Sequence, residues 1–282
     1  MDETGKIDLG AIYDRPDPRR YYQTLYDLDY QIPALAEANF RTVIKARRQS
    51  REQSQVTLLD VGSSYGVNAA ILNYKVSLPD LFRLYAQKSS GDLSRSELVM
   101  RDRKLFSEMR LDRETKVVGL DVAGEALDYA AEIGIINAGL ATNLELVPPT
   151  VEDKELLAET DIVISTGAIG YVGAPTFSRI LDCAERSPWF ALFALRMFPI
   201  SDITTMLRSH GYVVYRQRGR TYRQRRFAGP DERQEVLARL AALSIDPTGL
   251  EADGWYHAEF YFACRQGEGA PLPVDGLSPL RT

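Results

Sequence analysis

The residues from Asp60 to Gly66 have the types and spacing of a tight turn that approaches a ligand. Asp60 precedes Gly62 by two positions, and the small residues Ser63 and Ser64 stand before Gly66. Where a strand passes into a helix beside a ligand, a side chain on the turn would collide with that ligand, so small residues are favoured. A glycine-rich turn also serves as an ordinary connection, and for this turn alone both interpretations stay open.

Two later segments place polar residues at the ends of predicted strands. Asp121 ends the apolar run 116–121, where a carboxylate can accept hydrogen bonds from both hydroxyls of a ribose. Ser165 ends another apolar run and is followed by Thr166 and Gly167. Because the carboxyl ends of parallel strands meet at one edge of a sheet, we expect these residues to lie beside the first turn. An aspartate at a strand end also caps the following helix, which is the alternative role for Asp121.

Together, the three segments resemble the motifs of the class I S-adenosylmethionine (SAM)-dependent methyltransferases. Asp60-x-Gly62-x-Ser64-x-Gly66 is similar to the family's motif I, acidic-x-Gly-x-Gly-x-Gly, except that serine replaces the middle glycine. The resemblance covers about residues 55–262 and implies that SAM is the cofactor. It also implies cofactor-binding candidates, which are Asp60, Gly62, Ser63, Ser64, Gly66, Asp121, Val122, Thr142, Asn143, Ser165, Thr166 and Gly167.

Three of these candidates concern the adenine ring. By the resemblance, Val122 would contact the ring, and Thr142 and Asn143 would lie at its edge. Thr142 and Asn143 fall in the run 141–147, which we predict as the third strand. A polar turn without a ligand is the alternative role for this pair.

Strand patterns alternate with helix patterns along the chain, which predicts an α/β fold with a doubly wound, mostly parallel sheet. The resemblance implies seven strands, the last of them antiparallel. We expect a helical N-terminal cap over residues 1–54 and a SAM-binding methyltransferase domain over 55–265. Helical insertions are expected at about 76–113 and 218–254, and a flexible tail at 266–282.

Methyl transfer from a sulfonium is a displacement that depends mainly on the alignment of donor and acceptor. A general base is needed only when the acceptor must lose a proton. Tyr171, just beyond the fourth strand, and His257, at the start of the last strand, are the catalytic candidates. Tyr22, Tyr26 and Tyr30 share one face of a predicted helix. This face either forms a lid over the cofactor and substrate or packs in the core.

Six arginines stand close together after the sixth predicted strand, at positions Arg216, Arg218, Arg220, Arg223, Arg225 and Arg226. Arginine can bind a phosphate backbone or a carboxylated substrate, and a run of charges can also be a solvated hairpin. The segment 165–168 lacks the proline-proline-aromatic box typical of enzymes that methylate nucleobase amines. Methylation of an RNA 2′-hydroxyl stays an alternative.

The composition excludes several classes of protein. A net charge of −5 over 282 residues provides no general field for nucleic acid. The two cysteines are far apart and form no metal-binding motif, so no metal is expected. The chain has no stretch of 18 apolar residues and begins without a basic and apolar leader, so we expect a cytoplasmic protein without a membrane segment. The sequence does not indicate the oligomeric state.

The resulting hypothesis is a SAM-dependent methyltransferase that modifies an oxygen or nitrogen atom of a small-molecule metabolite. One alternative is a SAM-binding protein that does not methylate, and a further one is an RNA 2′-O-methyltransferase. The acidic residue two positions before Gly62 argues against an NAD-dependent oxidoreductase.

Overall fold

A computed structural model describes residues 10–86, 93–268 and 272–280. Within these residues, nine strands form one sheet. They are β1 (Val56–Val61), β2 (Thr115–Leu120), β3 (Ala138–Leu140), β4 (Ile162–Ser165), β5 (Trp189–Leu195), β6 (Tyr212–Gln217), β7 (Tyr222–Arg226), β8 (Trp255–Arg265) and β9 (Leu277–Pro279). The order across the sheet is β3-β2-β1-β4-β5-β8-β6-β9, and β7 pairs with β8.

The five strands β1 to β5 are parallel where they pair, and β8 is antiparallel to β5 and β6. The predicted doubly wound frame with an antiparallel late strand is therefore confirmed. Two short strands are added to it. β7 lies in the segment predicted as an insertion, and β9 pairs with β6 from within the predicted tail. The third strand ends at Leu140, before the run 141–147 that was predicted to form it, and that prediction was wrong.

Helices cover both faces of the sheet. They are α1 (Gly10–Tyr13), α2 (Arg19–Asp27), α3 (Ile32–Arg51), α4 (Val67–Asn73), α5 (Leu78–Tyr85), α6 (Arg95–Met109), α7 (Gly124–Glu132), α8 (Val151–Ala158), α9 (Ala174–Cys183), α10 (Ser201–Ser209) and α11 (Pro230–Ala242). Capping boxes at Ser77, Ser94 and Thr150 begin α5, α6 and α8, since each hydroxyl accepts a backbone N–H three residues on. In the part of the chain described here, no helix has the length and apolar character to cross a membrane.

The apolar core lies in two layers, one on each face of the sheet. Alternate residues of a strand point to opposite faces, so Leu58 and Ile162 join one layer while Leu59 and Val163 join the other. Because helices cover both faces, every residue of β1 is buried. The sheet therefore holds the carboxyl ends of its parallel strands in fixed positions.

Main-chain hydrogen bonds join the N-terminal helices to strand β7. The N–H of Gln31 donates to the carbonyl of Gln224 at 2.8 Å, and the N–H of Arg226 donates to the carbonyl of Leu28 at 2.8 Å. These bonds pair the turn between α2 and α3 with β7. That turn therefore lies over the same sheet edge as the predicted ligand-binding segments.

Candidate active site

A cavity of about 540 Å³ opens at the carboxyl ends of β1, β2 and β4. The strand order reverses between β1 and β4, the place where open α/β sheets bind ligands. Pockets for small molecules typically measure roughly 300–1,000 Å³. Ten predicted site residues line this cavity, namely Tyr30, Gly62, Ser64, Asp121, Val122, Thr142, Asn143, Thr166, Gly167 and Tyr171.

The turn after β1 has the backbone conformation that its small residues predicted. Gly62 and Gly66 have positive φ angles of 79° and 72°. A Cβ on Gly62 would lie 2.7 Å from the Cβ of Ala168, in the loop that follows β4. Glycine at position 62 therefore lets two loops of the protein pack together. Ser64, at the position of the family's middle glycine, also has a positive φ of 46°, which is unusual for a side-chain-bearing residue.

Asp121 stands just after β2 and is held by backbone donors. Its Oδ2 accepts the N–H of Ser64 at 2.8 Å, and its Oδ1 accepts the N–H of Ala123 at 3.1 Å. Burial raises the pKa of Asp121, and these backbone hydrogen bonds partly oppose the rise. Each carboxylate oxygen has a second lone pair, so Asp121 can also accept hydrogen bonds from ligand hydroxyls.

Four of the predicted cofactor residues, Asp60, Ser63, Gly66 and Ser165, lie behind the wall of the cavity. Asp60 is completely buried, and its Oδ1 accepts the side-chain amide of Asn68 at 2.9 Å. The Asn68 amide also donates to the hydroxyl of Thr166 at 3.2 Å, so Asp60 orients residues that reach the cavity. Ser165 donates to a carbonyl of β1 at 2.8 Å.

One oxygen of the buried Asp60 carboxylate has no hydrogen-bond partner among the described residues, and this oxygen is Oδ2. Burial raises the pKa of Asp60 to about 7, against the opposing effect of the hydrogen bond from Asn68. The negative charge of Asp121 raises it further. The hydroxyl of Ser64, on the cavity wall, is a second buried polar atom without a partner in this part of the chain.

Of the three predicted lid tyrosines, only Tyr30 reaches the cavity. Tyr22 stacks on Tyr85 in the core at 4.6 Å between ring centres, and Tyr26 is more than half exposed. Helix α2 ends at Asp27, so Tyr30 comes from the turn beyond it and leaves the predicted helical face. Burial is the main cause of a raised pKa for Tyr30, which a hydrogen bond from Thr166 opposes.

A β-bulge in β7 brings two further residues to the cavity, Gln224, which was not predicted, and Arg225 of the predicted arginine cluster. Arg223 pairs with His257 and Arg226 pairs with Trp255, so two residues of β7 stand opposite one residue of β8. The two residues opposite Tyr256 are Gln224 and Arg225, and both are buried and line the cavity. A bulge breaks the usual alternation of a strand, which allows two neighbouring side chains to point inward.

His257 stands near the start of β8, level with the carboxyl end of β5 as predicted, but it does not line the cavity. Strand β7 runs along the start of β8 and covers it. The Nδ1 atom of His257 lies 3.0 Å from the hydroxyl of Thr221. Burial lowers the pKa of His257 to about 4, and the charges of Arg223 and Arg196 add to this effect. His257 is therefore neutral near pH 7, and it is not among the residues that line the cavity.

The predicted adenine-edge residues also make contacts within the protein. Thr142 donates its hydroxyl to Asp153 at 2.8 Å, and the Asn143 side-chain oxygen accepts the N–H of Glu145 at 3.1 Å. Glu145 in turn accepts the hydroxyl of Thr176 at 2.6 Å, which ties the loop after β3 to the start of α9. These bonds hold Thr142 and Asn143 at the cavity mouth.

The arginine cluster divides into one cavity residue and five surface residues. Arg225 alone of the six lines the cavity. Arg216 pairs with Glu259, and Arg223 and Arg226 lie over the ring of Trp255. The outer arginines therefore belong mostly to a paired hairpin surface. Over the described residues, no group of three or more His, Cys, Asp or Glu side chains is arranged to hold a metal ion.

No protein-family model and no curated protein matches the chain. Several solved structures are similar to it. The plantazolicin methyltransferase BpumL in complex with S-adenosylhomocysteine (SAH) has a TM-score of 0.45 and 11% identity, over 91% of this chain and 93% of that one. A SAM-dependent methyltransferase from Aquifex aeolicus has a TM-score of 0.39 and 16% identity, over 92% and 100%.

A third solved structure, magnesium protoporphyrin IX methyltransferase from Synechocystis with bound SAM, has a TM-score of 0.37 and 13% identity, over 82% of this chain and 79% of that one. The strand order of the chain itself is the more direct guide to its fold. The doubly wound parallel sheet, with the antiparallel strand β8 between β5 and β6, is the arrangement that the resemblance to the class I SAM-dependent methyltransferases implies.

Proposed function

We propose that this chain binds SAM and transfers its methyl group to an oxygen or nitrogen atom of a small molecule. The observation that carries the proposal is the position of Asp121. Its carboxylate lies at the end of β2, faces the cavity and is fixed by the N–H groups of Ser64 and Ala123. This arrangement suits the two neighbouring hydroxyls of a ribose.

The residues around Asp121 fit the other parts of the cofactor. Apolar side chains suited to an adenine ring line the cavity beside it, and they are Leu120, Val122, Ala123, Leu144 and Val172. Asp60 lies behind the wall and accepts the amide of Asn68, which also donates to Thr166, so it would act on the methionine portion through these residues. When bound, SAM supplies an electrophilic methyl group on a sulfonium.

The acceptor would lie at the other end of the cavity, under the N-terminal segment. Tyr13, Tyr21, Tyr30 and Gln224 line the cavity there. Burial raises the pKa of each of these tyrosines, so they remain protonated and act by positioning the acceptor through hydrogen bonds. Tyr171, at the mouth of the cavity, is the further candidate for this positioning role.

Two features favour SAM over a nicotinamide dinucleotide. The dinucleotide-binding fold has the parallel strand order 3-2-1-4-5-6, whereas here antiparallel β8 separates β5 from β6. The acidic Asp60, two residues before Gly62, is also placed as in motif I of the methyltransferases rather than as in the nicotinamide dinucleotide fingerprint.

The proposal is tested by calorimetry with SAM, SAH and NAD, followed by incubation with methyl-labelled SAM and a fractionated metabolite extract. We expect SAM and SAH to bind, NAD not to bind, and a labelled small molecule to form. Binding of NAD without SAM would refute the cofactor assignment. Binding of SAM with no labelled product in any fraction would favour the alternative, a SAM-binding protein that does not methylate.

A further inference from the structure

The bulge in β7 directs a guanidinium group to the cavity wall. Arg225 has 4% of its side-chain surface exposed, and its partner Glu232, at the start of α11, is completely buried. Among the described residues that line the cavity, Arg225 is the only one with a permanent positive charge. It therefore determines which charged group a ligand can place at this end of the site.

The hydrogen bonds of Arg225 use one edge of its guanidinium group. Nη1 donates to Oε2 of Glu232 at 2.9 Å and to the carbonyl of Arg226 at 2.9 Å, and Nη2 donates to Oε1 of Glu232 at 2.8 Å. A guanidinium group has five N–H donors in a fixed planar fork. Nε–H and the second Nη2–H have no partner among the described residues.

The two remaining donors form a second fork of their own. Nε–H and Nη2–H are parallel on the side of the group, and such a pair matches the two oxygens of a carboxylate. The ring of Tyr256 lies 4.7 Å from the central carbon of the guanidinium and restricts its rotation. Glu232 also accepts the N–H of Ala228 at 2.7 Å, so the pair is anchored on its far side.

The positions of the acidic residues support a carboxylate at Arg225. Among the described residues that line the cavity, the acidic ones are Asp14 and Asp121, and Asp121 is the expected ribose ligand. Asp14 accepts the N–H of Glu125 at 2.8 Å at the start of α7, and so is held at the cofactor end. The carboxylates of Asp14 and Asp121 repel a ligand anion at that end. The unused N–H donors of Arg225 can accommodate it instead.

We propose that the free fork of Arg225 binds a carboxylate of a ligand in the cavity. The inference rests on the proposed function. Two carboxylates can satisfy it, that of the methionine portion of the cofactor and one carried by the methyl acceptor. In both cases Arg225 bridges two carboxylates, the fixed one of Glu232 and the one brought by the ligand.

The test uses Arg225→Lys, which keeps a positive charge beside Glu232 but removes the second fork. Calorimetry compares SAH with 5′-methylthioadenosine, which lacks the amino-acid portion. A loss of at least tenfold for SAH, with 5′-methylthioadenosine unchanged, supports the proposal and identifies the cofactor as the source. Arg223→Lys, on the outer side of β7, is the matched control and should change neither affinity.

A second arm examines the acceptor. SAH-loaded protein is titrated with 4-hydroxyphenylacetate and with its neutral amide. Tighter binding of the acid, lost in Arg225→Lys while SAH affinity is kept, supports the proposal with the acceptor as the source. The proposal is wrong if Arg225→Lys leaves SAH affinity unchanged and the wild type shows no preference for the acid.

Two further points keep the test decisive. If Arg225→Lys does not fold, the double variant Arg225→Gln/Glu232→Gln removes both buried charges together and avoids leaving one unpaired. If the wild type fails to bind SAH, the proposed function fails. The acid and amide comparison on the unliganded protein then tests the Arg225 fork separately.

Discussion

The carboxylate of Asp121 accepts the backbone N–H of Ser64 at 2.8 Å, and this bond joins the end of β2 to the turn after β1. Ser64 has a positive φ, and its own hydroxyl is buried without a partner in the described chain. The turn therefore presents a strained residue and a fixed acceptor side by side at the cavity wall. Both Ser64 and Asp121 would contact the proposed ligand, SAM.

Replacing Ser64 by glycine separates strain from binding. We expect Ser64→Gly to raise the free energy of unfolding by up to about 1 kcal/mol, because glycine adopts a positive φ without steric cost. SAH affinity should fall several-fold if the Ser64 hydroxyl contacts the ligand. Urea unfolding and calorimetry measure the two effects. Ser244→Gly, at an exposed residue with φ 55°, is the control and should leave SAH affinity unchanged.

Gly62→Ala tests the close approach of the loops after β1 and β4. A Cβ at Gly62 meets the Cβ of Ala168 at 2.7 Å, whereas a Cβ at Gly211 meets no atom within 4 Å. The φ angles are nearly equal, 79° and 80°. Gly211→Ala should cost about 1–2 kcal/mol from backbone strain alone. Gly62→Ala should cost more and should also weaken SAH binding, and equal costs in urea unfolding would show that the loops adjust freely.

The raised pKa of Asp60 makes stability depend on pH. Its pKa of about 7 in the folded chain lies above that of an unfolded aspartate, so the folded state holds the proton more tightly. The contribution of Asp60 to the free energy of unfolding is fully present below about pH 4 and is lost as the pH rises to about 7, with a total effect of a few kcal/mol. Urea unfolding of the wild type and Asp60→Asn between pH 4.5 and 8 should give a flatter profile for the variant. Parallel profiles would mean that Asp60 titrates normally.

Removing one partner of the buried Arg225 and Glu232 pair should be costly. Glu232→Ala leaves the guanidinium unpaired in the interior, and we expect a loss of about 3–5 kcal/mol in unfolding free energy. The control is Glu235→Ala, which breaks a partly exposed pair with Arg239 on the same helix and should cost less than about 1 kcal/mol. Similar small losses for both variants in urea unfolding would mean that water reaches Arg225.

The sequence was sufficient to predict that the turn after β1 and the segments after β2 and β4 meet at one cavity. Strand ends at Asp60 and Asp121 follow from apolar runs whose partners are neighbours in the sheet, and the turn after β1 depends on local conformational limits of Gly62. The same reasoning did not separate Asp121, which faces the cavity, from Asp60, which lies behind its wall. That distinction depends on the packing of Asn68 and Thr166 around the carboxylate.

The proposed acceptor end could not be predicted because its residues are brought together by long-range pairing. The strand β7 has the polar sequence Tyr-Arg-Gln-Arg-Arg, without an apolar alternation to indicate a strand. It forms because β8 and the turn at Gln31 supply its hydrogen-bond partners. The bulge that points Gln224 and Arg225 inward, and the covering of His257, follow from that pairing. Tyr13 lacked any periodic signal in its short helix.

Calorimetry of SAH with the wild type and Asp121→Ala is the most direct test of the central claim that this cavity binds SAM through the ribose. Loss of the carboxylate removes two hydrogen bonds to a charged group, so the account predicts at least a tenfold weaker affinity. The exposed Asp128, on α7, is the control, and Asp128→Ala should bind SAH like the wild type. Unchanged SAH affinity in Asp121→Ala, or no SAH binding by the wild type, would contradict the account.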